Sequence, residues 1–266
     1  MTDIRSHFGF SMTPFTPEIP VGKRFCHPVF DEPLADLERT VSERMSAAVI
    51  SPAGTGKTML LRTLESRLPQ SRYKVHYVKT SDLGKRDMYR EIALATGCSP
   101  QGQCGTIMHR IEQRLLESVD TNGVRPVIIL DDAHELTPAV LGVLKFLTNY
   151  EMDSRLVVSF ILVGHKPLAT LLDMLEDIGK RLAHYATLRN LTRDEIRKYV
   201  AHRLAVAGAR ADLFDDGAHD AMFEIGGGNL RATDRLALKS LQIAADDDAK
   251  AVGSQHVAIA RQKLWP

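Results

Sequence analysis

Ala47-Ala48-Val49-Ile50-Ser51-Pro52-Ala53-Gly54-Thr55-Gly56-Lys57-Thr58-Met59-Leu60-Leu61 decides the fold. The apolar run Ala47 to Ile50 reads as a buried strand. A loop of small residues follows, and Met59-Leu60-Leu61-Arg62-Thr63-Leu64 then reads as a helix. Small residues let a backbone curl so that its N–H groups converge on phosphate oxygens, and the helix N-terminus adds positive field at the same place. Lys57 is expected to reach the β- and γ-phosphates, and Thr58 to offer its hydroxyl to Mg2+. Ser51, Pro52, Ala53, Gly54, Thr55, Gly56 and Met59 complete the expected nucleotide contacts. Ser51 stands where the G-x-x-x-x-G-K-[ST] pattern has its first glycine, and serine tolerates a positive φ less readily than glycine.

Upstream of this loop, Pro33 to Met45 reads as a helix with Leu34, Leu37 and Val41 on one face. Residues 1–30 hold Phe8, Phe10, Phe15, Phe25 and Phe30 among Pro14, Pro17, Pro20 and Pro28, which reads as an extended aromatic arm. Such an arm either packs near a nucleotide base or a neighbouring subunit, or merely covers apolar surface.

Downstream, the loop's helix runs to about Leu68, and Tyr73 to Val78 alternates as a strand does. A helix is expected to end near Thr96, Gly97 to Gly105 to be loop, and Thr106 to Val119 to be helical. Val127-Ile128-Ile129-Leu130 and Val157 to Val163 are continuous apolar runs, as strands buried on both faces should be. A helix beyond Pro138 is expected to carry Val140, Leu141, Leu144 and Leu147. Strands alternating with helices give an α/β class with a central parallel sheet flanked by helices. Near residue 190 the pattern changes. Thr192-Arg193-Asp194-Glu195 is a capping box opening a helix to about Val206, and further helices follow over 215–224, 231–245 and after Ser254. The expected organisation is an arm over 1–30, an α/β nucleotide-binding domain over 31–190, and a small helical lid over 191–266.

The strand ends carry the candidate chemistry, because parallel sheets bind ligands at the carboxyl ends of their strands. Asp131 is placed to hold Mg2+ with Thr58, and Asp132 to orient or deprotonate an attacking water. His134 either supports that pair or caps a helix, and Glu135 is an alternative base. His165, at the end of the next strand, is expected to donate a hydrogen bond to the γ-phosphate or the water. Arg181 is a candidate to neutralise the transferred phosphoryl group from a neighbouring subunit, with Arg189 as its rival. Gly226-Gly227-Gly228-Asn229-Leu230-Arg231 opens a later helix, and Arg231 is placed to swing onto the phosphates. Lys79, Thr80, Ser81, Lys85 and Arg86 offer charges and hydroxyls suited to DNA phosphates, or form a solvated basic loop.

Bulk properties exclude little. The 34 basic and 33 acidic residues nearly cancel, so any nucleic-acid surface must be a local patch. Cys26, Cys98 and Cys104 form no CxxC pair, which points to reduced thiols and a cytoplasmic protein. A zinc site at Cys98, Cys104 and His109 lacks a fourth ligand. No leader-like segment is read at the N-terminus, and no apolar run is long enough for membrane insertion.

Together, Ser51–Thr58, Val127–Asp132, His165 at a sensor-1 position and Arg231 at a sensor-2 position resemble the AAA+ ATPases. Within them the chain resembles the ExeA/GspA-like ATPases and the transposition regulators TniB, TnsC and MuB. His7-Phe8-Gly9-Phe10…Pro14-Phe15 is similar to the ExeA-like entry motif. Ile161 to Leu168 resembles the family's strand and turn, where Gln often takes the place of His165, and Asn229-Leu230-Arg231 resembles its Asn-Pro-Arg segment. The resemblance implies an AAA+ fold that hydrolyses ATP with Mg2+. In the transposition branch it implies a homo-oligomeric ring or helical filament on double-stranded DNA that recruits a transposase and helps select the target site. In that branch residues after the second strand line the DNA. Secretion-system relatives carry a membrane segment and a periplasmic region that are not read in these residues, so the transposition branch is the expectation. A secretion or envelope ATPase and an ATP-driven assembly switch are the alternatives. Asp132 replaces the usual catalytic glutamate and is one methylene shorter, which implies slow or partner-dependent hydrolysis.

Overall fold

The computed structural model describes residues 3–148, 150, 155–209 and 211–265. The chain forms two compact units. One comprises Pro28–Ala53 and Leu60–Leu188, and the other Met1–His27, Gly54–Met59 and Arg189–Pro266.

The first unit is built on a five-stranded sheet in the order β2-β3-β4-β1-β5. Its strands are β1 (Ser46–Ile50), β2 (Tyr73–Lys79), β3 (Arg125–Asp131), β4 (Ser159–Gly164) and β5 (Leu182–Ala186), and every pairing is parallel. The α/β class with a parallel sheet is therefore as the alternation of elements indicated. The central strands β3 and β4 are buried along most of their length, which is why they read as continuous apolar runs. At the edges β2 and β5 alternate between buried and open positions. β5 escaped the sequence reading because its Leu-Ala-His-Tyr-Ala run is short and half polar.

The helices of this unit are α2 (Pro28–Ser42), most of α3 (Lys57–Arg67), α4 (Lys85–Thr96), α5 (Cys104–Asp120), α6 (Pro138–Leu141), α7 (Val143–Thr148), α8 (Lys166–Met174) and α9 (Glu176–Gly179). Three differ from expectation. α2 begins at Pro28 and ends at Ser42, where a helix over Pro33 to Met45 was expected. Proline suits a first helical position, whose N–H has no intrahelical partner anyway. α5 begins at Cys104, so Cys104 is helical and not in a loop. The segment after Pro138 breaks at Gly142 into α6 and α7, in keeping with glycine's weak helix preference. One core joins Met88, Ile92, Ile107, Ile111 and Leu115 of α4 and α5 to Ile128, Leu130, Phe160 and Leu162 of the sheet.

The second unit is helical: α1 (Ile4–Phe8), α10 (Arg193–Val206), α11 (Asp216–Gly226), α12 (Leu230–Asp246) and α13 (Ser254–Leu264). The capping box at α10 forms as read. The Thr192 hydroxyl accepts from the Glu195 N–H at 3.4 Å, and the Glu195 carboxylate accepts from the Thr192 N–H at 2.8 Å. The N-terminal arm is not simply extended, since it contains α1 and a 3₁₀ turn at Val21–Lys23. It packs on the helices of its own unit. His7 Nε2 donates to the Ala249 carbonyl at 2.9 Å, Ser11 Oγ to Ala207 at 2.9 Å, and Arg203 to Thr16 at 2.7 Å. Phe10 and Phe15 are buried there. At the far end of the chain, the Arg235 guanidinium lies 5.3 Å from the centre of the Trp265 ring. Among the described residues no helix is long and apolar enough to cross a membrane.

Candidate functional site

In the sheet unit, the order of the strands marks one crevice as the candidate site. β1 lies between β4 and β5 although β2 follows it in sequence, so the strand order reverses beside β1. Crevices at the carboxyl ends of such strands bind ligands. Ile50 is paired with Gly164, which sets Ser51 beside His165.

Ser51 is held within this unit through its N–H, its carbonyl and its hydroxyl. Its N–H donates to the Gly164 carbonyl at 3.1 Å, its carbonyl accepts from His165 Nδ1 at 3.0 Å, and its Oγ accepts from the buried Leu188 N–H at 2.6 Å. Ser51 is absent from the residues of positive φ, whereas Gly54 and Gly56 have φ of 75° and 100°. The concern over a serine at the first glycine position therefore falls away: the backbone needs no glycine there, and the hydroxyl supplies a bond glycine cannot. Ser51→Gly leaves the Leu188 N–H buried and unsatisfied. Thermal or urea unfolding should show a loss of about 1–3 kcal/mol, and unchanged stability would mean that another acceptor takes the hydroxyl's place.

The Ser51 carbonyl also orients the His165 ring. A carbonyl only accepts, so Nδ1 is the donor of this bond. With Nδ1 engaged by this carbonyl, any contact of His165 with a γ-phosphate or a water falls to Nε2. His165 also forms the N-cap of α8.

At the end of β3, Asp131 accepts from the Asp132 N–H through Oδ1 at 3.0 Å and from the Tyr77 hydroxyl through Oδ2 at 2.7 Å. Partial burial, and then this carboxylate acceptor, push the Tyr77 phenol above its ordinary range. Tyr77 was not found from sequence. The β2–β3 register sets Lys79 opposite Asp131, which brings Tyr77, two residues earlier on the same face, within reach along the diagonal. Asp132 takes a left-handed conformation with φ 60° and ψ 30° and caps a 3₁₀ turn, Ala133–Glu135. That turn carries His134 against His165, with ring centres 4.3 Å apart and planes at 82°. Glu135 is exposed.

In the helical unit, the loop residues Gly54 to Met59 accompany the start of α12. The Arg231 N–H donates to the Gly54 carbonyl at 3.2 Å. A Cβ on Gly54 would lie 2.5 Å from Asn229 Oδ1 and 2.8 Å from Arg231 Cβ, so with its positive φ this position admits only glycine. Lys57 opens α3, Thr58 is exposed and Thr55 is buried. Pro52 and Ala53 are exposed on the stretch leaving β1.

The remaining candidates scatter. Arg181 immediately precedes the edge strand β5. Its rival Arg189 grips Glu195 with both arms, at 2.7 and 2.8 Å, and this ion pair holds the Glu195 carboxyl down at about 2. Arg189 thereby supports the α10 cap. Among the basic candidates Lys79, Lys85 and Arg86 are exposed and Ser81 is half-buried. Thr80 does not belong with them, because it is fully buried and its hydroxyl donates to the Asp131 carbonyl at 2.7 Å.

Comparison with known proteins supplies a family. The family described as AAA domain matches residues 39–172. General secretion pathway protein A of Aeromonas hydrophila is 28% identical over 192 residues, which are 71% of this chain and 35% of that protein. The chain thus spans about a third of that relative's length. Among solved structures, the Aeropyrum pernix ORC1 protein in complex with DNA is similar with a TM-score of 0.71 at 18% identity, covering 94% of this chain and 68% of that one. Pyrobaculum aerophilum Cdc6p gives 0.72 at 20%, covering 94% and 70%. The Thermotoga maritima RuvB Holliday junction branch migration motor gives 0.61 at 18%, covering 90% and 70%. At these identities the structural likenesses establish the fold.

Proposed function

The chain belongs to the AAA domain family, and on that premise we propose that it is an ATP-dependent, DNA-binding regulator of DNA transposition. In this reading it binds ATP at Ser51–Thr58, assembles as a ring or helical filament on double-stranded DNA, recruits a transposase, and disassembles on hydrolysis. The observation that carries the DNA part is the exposed group Lys79, Lys85 and Arg86 at the end of β2 and the start of α4. The ORC1 protein, which shares the fold, was solved in complex with DNA.

Within this proposal the loop's backbone N–H groups and the Lys57 ammonium hold the phosphates. Thr58 and Asp131 are the residues to hold Mg2+. Asp131 suits that task because each carboxylate oxygen keeps a lone pair beyond the bond it already accepts. Bound Mg2+ supplies neutralisation of phosphate charge. Asp132 takes the proton of the attacking water, and His165 Nε2 accepts the water's other hydrogen. Arg181 of an adjacent subunit stabilises charge on the transferred group. Arg231, beside Gly54, couples the lid to the nucleotide.

Electron microscopy of the protein with ATP and duplex DNA tests this directly. Rings or filaments that need both ATP and DNA are expected, and ATP-loaded protein that neither binds DNA nor assembles overturns the reading. Removing the charges of Lys79, Lys85 and Arg86 together should weaken DNA binding and flatten the plot of log affinity against log salt by about 0.9 per lost phosphate contact. An unchanged slope would place the DNA elsewhere. The match to General secretion pathway protein A favours a second reading, an ATPase acting with a secretion apparatus. ATP turnover with no affinity for DNA would select it.

A further inference from the structure

We propose that Asp132, His134 and His165 form a binding site for a late first-row divalent metal ion, with Zn2+ as the physiological occupant. Each offers one ligand atom, and the three atoms lie within 4.8 Å of one another. They come from two segments that the fold packs together, the turn after β3 and the cap of α8. Glycine at 164 permits this approach. A Cβ there would meet the His134 backbone nitrogen and Cβ at 3.2 Å and a Leu168 methyl at 3.0 Å.

The chemistry of the donors selects the ion. Two imidazoles and one carboxylate suit zinc, whereas Mg2+ and Ca2+ take oxygen ligands. A zinc ion bound tetrahedrally separates its donors by about 3.3 Å, so side-chain movements of ~1 Å close the set. Three protein ligands leave a fourth position for water or a ligand oxygen.

A second observation points the same way. His165 Nδ1 donates to the Ser51 carbonyl at 3.0 Å. Metal-bound histidines hold their other nitrogen by such a bond, which fixes the ring and turns the lone pair toward the ion. Here that lone pair is on Nε2. Asp132 is held by its own backbone in the left-handed region, which an aspartate tolerates, so its carboxylate starts from a defined place. All three residues are partly open, which gives the ion a way in.

Binding stands on this geometry alone. Its consequence rests on the ATPase reading: zinc that engages the Asp132 carboxylate and His165 Nε2 removes both from the attacking water, and turnover falls until a chelator restores it.

The test uses untagged full chain and Co2+ as a visible probe. One Co2+ per chain is expected, with the intense visible bands of a four-coordinate N/O site, bleached on adding Zn2+. His134→Gln, His165→Gln and Asp132→Asn should each weaken binding by about 100-fold or more, while replacing Cys26, Cys98 and Cys104 by serine should leave it intact. Asn also tolerates the left-handed region, so Asp132→Asn keeps the fold testable if a histidine variant does not, and circular dichroism checks each. Weak octahedral spectra, a thiolate charge-transfer band, or unchanged affinity in the folded variants would overturn the site. Clean binding without inhibition would count against the ATPase role of Asp132 and leave the metal site standing.

Discussion

Replacing Lys57 by alanine is expected to lower ATP turnover by about 10³-fold. The estimate follows from what a fixed cation contributes where charge develops on a transferring phosphoryl group: loss of a single positioned donor costs about 10²–10³ and of a phosphate-directed arginine 10³–10⁵. Lys57 is the first residue of α3, so its ammonium adds to the field of the helix N-terminus. Phosphate release and equilibrium nucleotide binding measure the effect, and both should fall together. Turnover at the parent rate in a folded variant would remove Ser51–Thr58 as the nucleotide site and, with it, the proposed mechanism.

Asp132→Asn is expected to lower turnover by about 10² or more while leaving nucleotide binding in place. A positioned base contributes about 10²–10⁴, and an amide cannot take the water's proton. Asparagine is well suited to φ 60°, so the substitution removes charge and leaves the backbone as it is. Single-turnover kinetics with ATP binding measured separately make the distinction. If hydrolysis by the parent is already negligible and the variant matches it, the protein is an assembly switch that ATP occupies without being consumed. Lengthening the side chain by Asp132→Glu does not simply restore the usual geometry. Aspartate visits the left-handed region because its short side chain can hydrogen-bond locally, an advantage glutamate lacks, so the shorter carboxylate and the bent backbone belong together.

What was legible in the sequence follows from how local its cause is. β1, β3 and β4 are continuous apolar runs because helices cover both faces of a parallel sheet, and the loop after β1 is recognisable from its small residues alone. The α10 cap is written in four consecutive residues. The rest depends on pairings across long stretches of chain. The Ser51 hydroxyl finds the Leu188 N–H 137 residues away, and no local pattern announces that. Threonine serves equally as a surface hydroxyl or a buried one returning a bond to the backbone, and Thr80 proved to be the second. Arg189 looked available until Glu195, needed for its own helix cap, was seen to hold it. Tyr77 required the register of β2 against β3. His134 and His165 each stood singly in the sequence, and only the packing of a turn against a helix cap made them neighbours.

The contact between Arg235 and Trp265 gives the protein an optical reporter. Trp265 is the single tryptophan of the chain, and its indole is 41% exposed beneath a guanidinium within the helical unit. Excitation at the red edge of protein absorption, where tyrosine contributes little, therefore samples Trp265 and its contact with α12 in the helical unit. Gly54 to Met59 fall in that same unit, joined to the first turn of α12 through the Arg231 N–H. A change in emission on adding nucleotide would time the helical unit's response without any label, and its absence in Lys57→Ala would tie the signal to the loop.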